Sequence, residues 1–142
     1  MQIMNLTPET VGRLVAAATK VRNNAHAPYS RFRVGAALLL PDGAIAVGCN
    51  VENASFGLSV CAERNAVAAA LAAGFDTFHA LAVVSESSPP ATPCGACRQV
   101  LSEFGDFTVI LANTANEQAV TSVAELLPEA FKAGDLNDPH TS

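Results

Sequence analysis

The sequence predicts an α/β protein in which one mixed sheet carries helices on both faces. Runs rich in β-branched residues alternate with stretches of helical periodicity, and turn signals separate them. After an initial helix, these segments form a strand hairpin, a helix, a strand, a helix and a strand. This alternation is typical of a layered fold with helices packed against a sheet. With 142 residues and no internal repeat or linker, the chain is expected to form one domain over 1–142.

Three helices are predicted from their capping signals and apolar spacing. The first runs over 7–22, where a threonine can cap the chain, proline takes the first helical position and glutamate follows. The second begins near residue 59, and its alanine-rich body ends at Gly74, a favourable residue for a helix terminus. The third runs over 93–104 behind Thr92, which forms a second cap-plus-proline start.

Strands are predicted where β-branched and apolar residues cluster between turn signals. The turn Pro41-Asp42-Gly43 joins the first two strands into a hairpin. A short helix is expected within 121–131, and the end of the chain from about Gly134 is expected to be loosely held. The predicted strands are Phe32–Leu40, Ile45–Val51, His79–Ser85, Phe107–Asn113 and Gln118–Val123.

Composition and charge exclude several classes of function. The formal net charge is −5 and no segment concentrates lysine or arginine among aromatic residues, so no nucleic acid is expected as a partner. No apolar run approaches the roughly 20 residues that cross a bilayer, and the opening residues lack the pattern of a secretory signal. We therefore expect a cytoplasmic protein with no membrane partner and reduced thiols. Half of the residues are hydrophobic and only 15% are charged, which favours an oligomer.

Three cysteines are placed where they can bind one metal ion. Cys94 and Cys97 form a C-x-x-C at a predicted helix start, and residues three apart on a helix share a face. Cys61 stands near the start of the other alanine-rich helix. Free N–H groups and the partial positive charge at helix starts favour thiolate over thiol. In a reducing compartment, cysteines clustered in this way indicate metal binding or catalysis.

The fourth cysteine, Cys49, decides between two kinds of zinc site. Three cysteine ligands with an open fourth position are the catalytic pattern, whereas four protein ligands are the structural one. Cys49 lies in an apolar run of the second predicted strand, so we expect a buried free thiol that packs as a small hydrophobic residue. If Cys49 were a ligand, the chain would be a zinc-stabilised interaction module without catalytic activity.

Glu63 and two arginines complete the candidate catalytic residues. Glu63 follows Cys61 by two positions, so it is poorly placed as a further ligand, but its carboxylate can reach a water at the metal. Without the neighbouring cysteines, Glu63 would be interpreted as a glutamate that stabilises the first turn of a helix through the helix dipole. Arg64 shares a face with Cys61 and can hydrogen-bond to a thiolate, which offsets the negative charge of the sulfurs. Arg98, four residues after Cys94, is a second candidate for this role.

Several motifs occur in one order along nearly the whole chain. They are Cys61-Ala62-Glu63-Arg64, Pro93-Cys94-Gly95-Ala96-Cys97-Arg98-Gln99, and the segments 29–37, 48–54, 125–128 and 130–131. In this order they resemble the small homotetrameric zinc-dependent cytidine deaminases. The resemblance implies a three-layer α/β/α fold with about five strands and one zinc ion per subunit. It also implies hydrolytic deamination of cytidine and 2′-deoxycytidine to uridine and 2′-deoxyuridine in pyrimidine salvage.

The resemblance assigns roles to individual residues. Cys61, Cys94 and Cys97 would hold zinc, Glu63 would move protons from the activated water to the base, and Arg64 would lie behind the ligands. The tetramer would share its sites, because each subunit would lend an aromatic ring to a neighbour. The implied substrate contacts are Asn50 and Glu52 to the sugar hydroxyls, Phe32 around the pyrimidine, the backbone of Ala62 to the base carbonyl, and Phe131 in the site of a neighbouring subunit.

Three alternatives use the same motifs differently. A deaminase for a cytosine antibiotic of the blasticidin type shares both cysteine motifs, but the sugar-binding pattern of Asn50 and Glu52 argues against it. The structural zinc module needs Cys49 as its fourth ligand. An RNA- or DNA-editing deaminase needs a basic surface that the composition lacks. A buried Glu52 beside the ribose would repel a 5′-phosphate, so a free nucleoside is expected. Phe56, where many relatives have tyrosine, leaves the subunit contacts and the fine substrate preference open.

Overall fold

The structure, a computed structural model, describes residues 6–136. Within this range no helix is both long enough and apolar enough to span a membrane. Most of the chain end that was predicted to be loosely held, 137–142, lies outside the described residues. The helices are α1 Pro8–Arg22, α2 Ala62–Ala72, α3 Gly95–Ser102, α4 Val123–Leu126 and α5 Ala133–Leu136. The strands are β1 Gly35–Leu39, β2 Ile45–Cys49, β3 Ala80–Ser85, β4 Thr108–Asn113 and β5 Gln118–Ser122.

The five strands form one mixed sheet in the order β2-β1-β3-β4-β5. The β1–β2 hairpin is antiparallel, β1 is antiparallel to β3, β3 is parallel to β4, and β5 returns antiparallel to β4. The parallel pair is linked through α3, as a crossover connection requires. The α/β class and the mixed sheet of five strands are therefore confirmed.

Helices cover both faces of this sheet, as the sequence predicts. On one face α1 buries Leu14 and Ala18 completely, and these side chains pack with Ala82 of β3. On the other face α2 packs against alternate strand residues such as Val83 and Leu111. Successive strand residues point to opposite faces, which explains why the central strands β3 and β4 are apolar at nearly every position. Burial of a side chain such as Leu14 contributes roughly 2 kcal/mol.

The start of α1 follows the sequence signal closely. Thr7 is the N-cap, and its hydroxyl oxygen accepts a hydrogen bond of 3.1 Å from the Thr10 backbone N–H. Pro8 occupies the first helical position, where its missing N–H has no consequence. Both features are local, so the sequence alone could predict them.

The second helix begins later than predicted, because tertiary contacts hold the residues before it. Residues 56–58 form a short 3-10 turn, and Val60 exchanges two backbone hydrogen bonds of 2.9 Å with Val51. These contacts keep the chain extended through Cys61, which is the N-cap of α2. The expected start near residue 59 is therefore wrong by about one turn.

The third helix also begins later than predicted. Cys94 is the N-cap of α3 and has an extended backbone, so the helix starts at Gly95 and ends at Ser102. The expected cap, Thr92, instead uses its hydroxyl oxygen to accept a hydrogen bond of 3.1 Å from Arg98. Two cysteines thus occupy equivalent positions, each at the start of a different helix.

Gly48 sets the distance between β2 and the start of α2. A Cβ atom at this position would lie 2.3 Å from the Ala66 nitrogen and 2.6 Å from the Ala62 carbonyl oxygen. Glycine is therefore required here, because both of these neighbours are backbone atoms that cannot rotate away. Asn65 reinforces the contact by donating a hydrogen bond of 2.8 Å from its side chain to the Cys49 carbonyl oxygen. The sheet and the first two turns of α2 are thereby locked together.

Candidate metal centre and active site

The N-termini of α2 and α3 bring three sulfur atoms together. The sulfurs of Cys61, Cys94 and Cys97 all lie within 4.8 Å of one another, and those of Cys61 and Cys94 are 3.7 Å apart. Zinc–sulfur bonds of about 2.3 Å in tetrahedral geometry place two thiolates about 3.8 Å apart. The distance between the Cys61 and Cys94 sulfurs therefore fits two ligands of one zinc ion, and the Cys97 sulfur lies close enough to be the third.

The environment of Cys61 favours the thiolate form in which cysteine binds a metal. The pKa of Cys61 is lowered to about 5, first because the Cys97 thiol hydrogen-bonds to its sulfur and then because Arg64 and Cys94 do so. The pKa of Cys97 is raised by that same hydrogen bond to Cys61 and by burial. Cys61 is therefore the more readily ionised of these two thiols, and a zinc ion would favour the thiolate form of its cysteine ligands.

Arg64 lies against the sulfurs, whereas Arg98 does not. A terminal nitrogen of Arg64 is 3.7 Å from the Cys61 sulfur. Its Nε is buried and has no hydrogen-bond partner within residues 6–136, so the guanidinium retains a donor beside the cluster. The expectation that Arg98 could offset the thiolate charge is wrong, because within residues 6–136 its guanidinium donates its hydrogen bonds to oxygen atoms.

Within the described residues, the metal cluster has three members and Cys49 is not among them. Cys49 pairs with Gly35 at the end of β2 and is a half-buried free thiol. It is thus less buried than the sequence suggested, but it lies apart from the other thiols as predicted. Three protein ligands are the pattern of catalytic zinc sites, whereas four are that of structural sites.

A cavity of about 250 Å³ adjoins the sulfur cluster. Its lining combines apolar side chains with a few polar groups, as the lining of small-molecule sites does. A larger cavity of about 420 Å³, lined by residues such as His26, Arg31 and Arg33, contains none of the cluster residues. Chemistry rather than volume therefore selects the candidate site. The smaller cavity is lined by Cys61 and Cys94 together with all of the predicted Phe32, Asn50, Glu52, Ala62 and Glu63.

Glu63 lies in this cavity in the first turn of α2. Its side chain is only 5% exposed. Burial raises the pKa of Glu63, and the nearby Cys61 thiolate raises it further, against the lowering effect of its own backbone N–H and of Arg64. A carboxyl group whose pKa is shifted toward neutrality can both accept and return a proton. The residue before it, Ala62, also lines the cavity, and because it begins the helix its N–H has no partner within the helix.

Glu52 holds the loop that forms one wall of the cavity. Its carboxylate accepts hydrogen bonds from the backbone N–H groups of Tyr29 and Ser30, at 3.0 and 3.1 Å, and a short one from the Ser30 hydroxyl. The Ser30 hydroxyl is the main reason why the pKa of Glu52 is lowered. Glu52 is half-buried and not buried as the sequence analysis assumed. Sequence reasoning assigned no role to Ser30, since its contact exists only after the loop has folded.

Asn50 fixes the backbone beside Phe32. Its side-chain oxygen accepts a hydrogen bond of 2.8 Å from the Val34 N–H, and its amide nitrogen donates one of 2.7 Å to the Phe32 carbonyl oxygen. An asparagine side chain has two donor hydrogens and two acceptor positions. One donor and one acceptor therefore remain for a ligand in the cavity.

Phe131 lies apart from the other predicted substrate contacts. Among residues 6–136, those that line the cavity do not include it. Its ring is 58% exposed, and its backbone carbonyl oxygen accepts a hydrogen bond of 2.8 Å from Gln99. The described chain therefore presents this ring on its surface and not to its own cavity.

Three clustered sulfurs that could hold a metal ion, a buried carboxyl group and an adjoining cavity are together the parts of a catalytic zinc site. Comparison with known proteins identifies which class of zinc enzyme this is. Residues 8–113 match the sequence model of the family described as the cytidine and deoxycytidylate deaminase zinc-binding region. The chain belongs to this family.

Individual relatives extend the match to nearly the whole chain. A cytidine deaminase of Sporosarcina psychrophila is 48% identical over 129 residues, which cover 89% of this chain and 95% of the relative. A cytidine deaminase of Halalkalibacterium halodurans is 48% identical over 127 residues, which cover 88% of this chain and 96% of the relative. The crystal structure of a cytidine deaminase from Burkholderia pseudomallei superposes with a TM-score of 0.83 at 51% identity, covering 89% of this chain and 100% of that one.

Proposed function

We propose that this chain catalyses the hydrolytic deamination of cytidine and 2′-deoxycytidine to uridine and 2′-deoxyuridine, with release of ammonia, as a step of pyrimidine salvage. The observation that carries this proposal is the position of Glu63, buried in a cavity whose wall includes two of the three clustered cysteines. Similarity over 89% of the chain to a relative named cytidine deaminase supports the choice of substrate.

Cys61, Cys94 and Cys97 would hold one zinc ion per subunit. When bound, zinc would act as a Lewis acid and make water a nucleophile at neutral pH. Glu63 accepts the proton of that water and delivers protons to N3 of the pyrimidine and to the departing amino group. The C4–N4 bond breaks as oxygen replaces nitrogen at C4, so water and cytidine give uridine and ammonia. Proton transfer of this kind accelerates reactions by typically 10²–10⁴-fold.

The remaining cavity residues would orient the nucleoside. The Ala62 N–H donates to the base carbonyl, and the Phe32 ring packs beside the pyrimidine. Asn50 retains one donor and one acceptor after its contacts with the wall, and these would meet the sugar hydroxyls together with Glu52. The carboxylate of Glu52 keeps its charge at neutral pH and would repel a phosphate near the sugar. This supports a free nucleoside as substrate over a nucleotide or nucleic acid.

The complete enzyme would be a cytoplasmic homotetramer with shared active sites. Two aromatic side chains that line a neighbouring cavity are exposed, Phe56 to 72% and Tyr29 to 52%. Their rings pack edge to face with 5.7 Å between the ring centroids. Exposed aromatic groups of this kind favour burial against a second copy of the chain. Phe131 would then enter the site of a neighbouring subunit. The four free thiols fit a reducing compartment.

An ultraviolet assay of cytidine conversion, with and without a chelator, tests the function. We expect purified zinc-loaded protein to convert cytidine and deoxycytidine, to leave blasticidin unchanged, and to lose activity when the chelator removes the metal. Glu63→Gln should retain zinc and fold while kcat falls by roughly 10²–10⁴-fold. Near-normal turnover of Glu63→Gln would remove this residue from the mechanism, and zinc-loaded protein that is inactive on both nucleosides would reject the function.

A further inference from the structure

Arg98 follows the third zinc-ligand candidate directly and connects two distant parts of the chain. Its Nε donates a hydrogen bond of 2.8 Å to the Pro93 carbonyl oxygen, and one terminal nitrogen donates a hydrogen bond of 3.1 Å to the Thr92 hydroxyl oxygen. Its other terminal nitrogen donates a hydrogen bond of 2.8 Å to the carbonyl oxygen of Leu126, which lies 28 residues further along the chain, in α4. Three nitrogens of one guanidinium thus bind three separate oxygen acceptors.

The first two acceptors belong to the loop that delivers Cys94 to the metal. Cys94 has an extended backbone, so helix geometry does not fix the residues that precede it. Arg98, a residue of α3, fixes these preceding residues. Its side chain donates a hydrogen bond to the Pro93 carbonyl oxygen, and its backbone N–H donates one of 3.0 Å to the Cys94 carbonyl oxygen. Cys94 is therefore held on both sides by a single residue.

The third acceptor belongs to the segment that carries Phe131. Leu126 ends α4 and packs against the hydrophobic core, and Arg98 binds its carbonyl oxygen. The next residue of α3, Gln99, donates a hydrogen bond of 2.8 Å from its side-chain amide to the Phe131 carbonyl oxygen. Two adjacent residues of the helix that bears Cys97 therefore hold both ends of segment 126–131.

We propose that Arg98 is a positioning residue that fixes the Cys94 loop for metal binding and, with Gln99, orients segment 126–131 so that Phe131 points toward a second subunit. The part that concerns Phe131 rests on the proposed shared site, whereas the part that concerns Cys94 does not. Arginine is needed because its rigid fork presents nitrogens in three directions. Lysine has one nitrogen on a flexible stem and cannot reach all three acceptors together.

Arg98→Lys and Gln99→Ala separate the two parts of the proposal, with Arg13→Gln as a control. Arg13 makes one exposed hydrogen bond of 3.2 Å to the Gly43 carbonyl oxygen and lies in α1, away from the site. Loss of residues that support a metal ligand typically lowers metal affinity by 10–100-fold, and this is the range expected for Arg98→Lys. Gln99→Ala should keep zinc affinity and raise KM about fivefold, as expected for one lost neutral hydrogen bond.

Zinc affinity is measured by competition with a chromogenic chelator, and hydrogen exchange is followed over 126–131. Exchange should be faster in both variants and unchanged in Arg13→Gln, a readout that does not require activity. Arg98→Lys with wild-type zinc affinity and wild-type exchange would overturn the proposal, even if the enzyme deaminates cytidine. Faster exchange with an unchanged KM in Gln99→Ala would reject only the link to Phe131. Weak zinc binding by Arg98→Lys would support the metal-loop part even if no substrate were turned over.

Discussion

Cys61 and Glu63 are two residues apart, yet their environments favour opposite ionisation states. The Cys61 sulfur receives hydrogen bonds from Cys97 and Arg64, which lower its pKa to about 5. The Glu63 carboxyl faces an apolar surrounding and a thiolate, which raise its pKa. One group is therefore prepared to bind a metal as an anion and the other to carry a proton. Acid–base roles in enzymes are commonly separated by environment in this way.

The cysteines provide a direct test of the ligand assignment. Cys94→Ala should lose the metal, because the two remaining sulfurs cannot complete a three-ligand site. Cys49→Ala, the matched control, should keep one zinc per chain, since Cys49 lies outside the cluster. Zinc content after dialysis, measured by atomic absorption, distinguishes them. A full equivalent of zinc in Cys94→Ala, or loss of zinc in Cys49→Ala, would contradict the assignment.

Glu52 predicts a dependence of stability on pH. Hydrogen bonds, chiefly from the Ser30 hydroxyl, lower the pKa of Glu52 in the folded protein below its ordinary value of 4.5. The folded state therefore binds this proton less readily than the unfolded state, so the ionised carboxylate stabilises the fold above about pH 4.5. This contribution is lost as the pH falls through the lowered pKa.

Glu52→Gln should accordingly have a lower Tm than the wild-type protein at pH 7, and the difference should shrink as the pH approaches 3. Asp76→Asn is the control, because it also removes one carboxylate but lies in the exposed loop between α2 and β3. Thermal unfolding followed by circular dichroism across this pH range measures both variants. A difference that stays constant or grows in acid would show that the hydrogen-bonded carboxylate does not stabilise the loop.

At the scale of elements, the position of α2 depends on Gly48. The Cβ of an alanine there would overlap two backbone atoms of α2, at Ala66 and Ala62. We expect Gly48→Ala to destabilise the fold by about 1–3 kcal/mol, as overpacking does. It should also weaken zinc binding, because the helix start that carries Cys61 must move away from the sheet. Urea unfolding and zinc titration test both effects.

Gly12→Ala is the control for Gly48→Ala. Gly12 lies on the exposed face of α1, and a Cβ atom there would meet nothing within 4 Å. This variant should be neutral or more stable by up to about 1 kcal/mol, because alanine favours helix more than glycine does. If both variants behaved alike, the close contact between β2 and α2 would have no energetic role.

Sequence reasoning predicted the elements well where the signal is local. The α1 cap at Thr7 depends on neighbouring residues, and the five strands depend on runs of β-branched and apolar residues between turn signals; both were confirmed. The starts of α2 and α3 were misplaced because contacts from distant residues decide them. Val51 pairs with Val60 before α2, and Arg98 takes the hydroxyl of Thr92 before α3.

The same distinction applies to the candidate site. Spacing alone was sufficient to group Cys94 with Cys97, although Cys94 is the N-cap of α3 and not a helical residue, because an N-cap side chain lies close to the third residue of its helix. The two arginines could not be distinguished, since each lies three or four residues after a cysteine. Only the packing of α3 against α4 shows that Arg98 binds the Leu126 carbonyl and leaves the thiolates to Arg64.

At the scale of the whole molecule, the single chain leaves apolar surface beside its own cavity. Another cavity, of about 360 Å³ and lined by Tyr29, Phe56 and Ser59, shares Ser30 and Glu52 with the cavity beside the sulfur cluster. Segment 126–131 carries Phe131 outward, with its ring 58% exposed. A chain with half of its residues hydrophobic is therefore expected to bury this surface against copies of itself.

Mixing two inactive or impaired subunits tests whether the sites are shared. A Glu63→Gln subunit should turn over substrate roughly 10²–10⁴-fold more slowly, but it would still offer Phe131 to a neighbour. A Phe131→Ala subunit keeps its own Glu63 and should have a KM raised roughly tenfold or more, since a buried phenylalanine contributes about 1.5–3 kcal/mol. In hybrids with Glu63→Gln chains in large excess, nearly every active Glu63 would lie beside an intact ring from another chain.

Hybrids formed by co-expression and isolated through two different affinity tags should therefore recover a KM close to that of the wild-type protein. Their kcat, expressed per subunit with Glu63, should be unchanged. Hybrids of Glu63→Gln with an otherwise wild-type tagged chain provide the control for exchange and tagging. If the hybrids kept the raised KM of Phe131→Ala, the ring would act within its own subunit or at no active site. Because neither variant alters a cysteine of the cluster, zinc content remains constant and a change in KM reports on the contact between subunits alone.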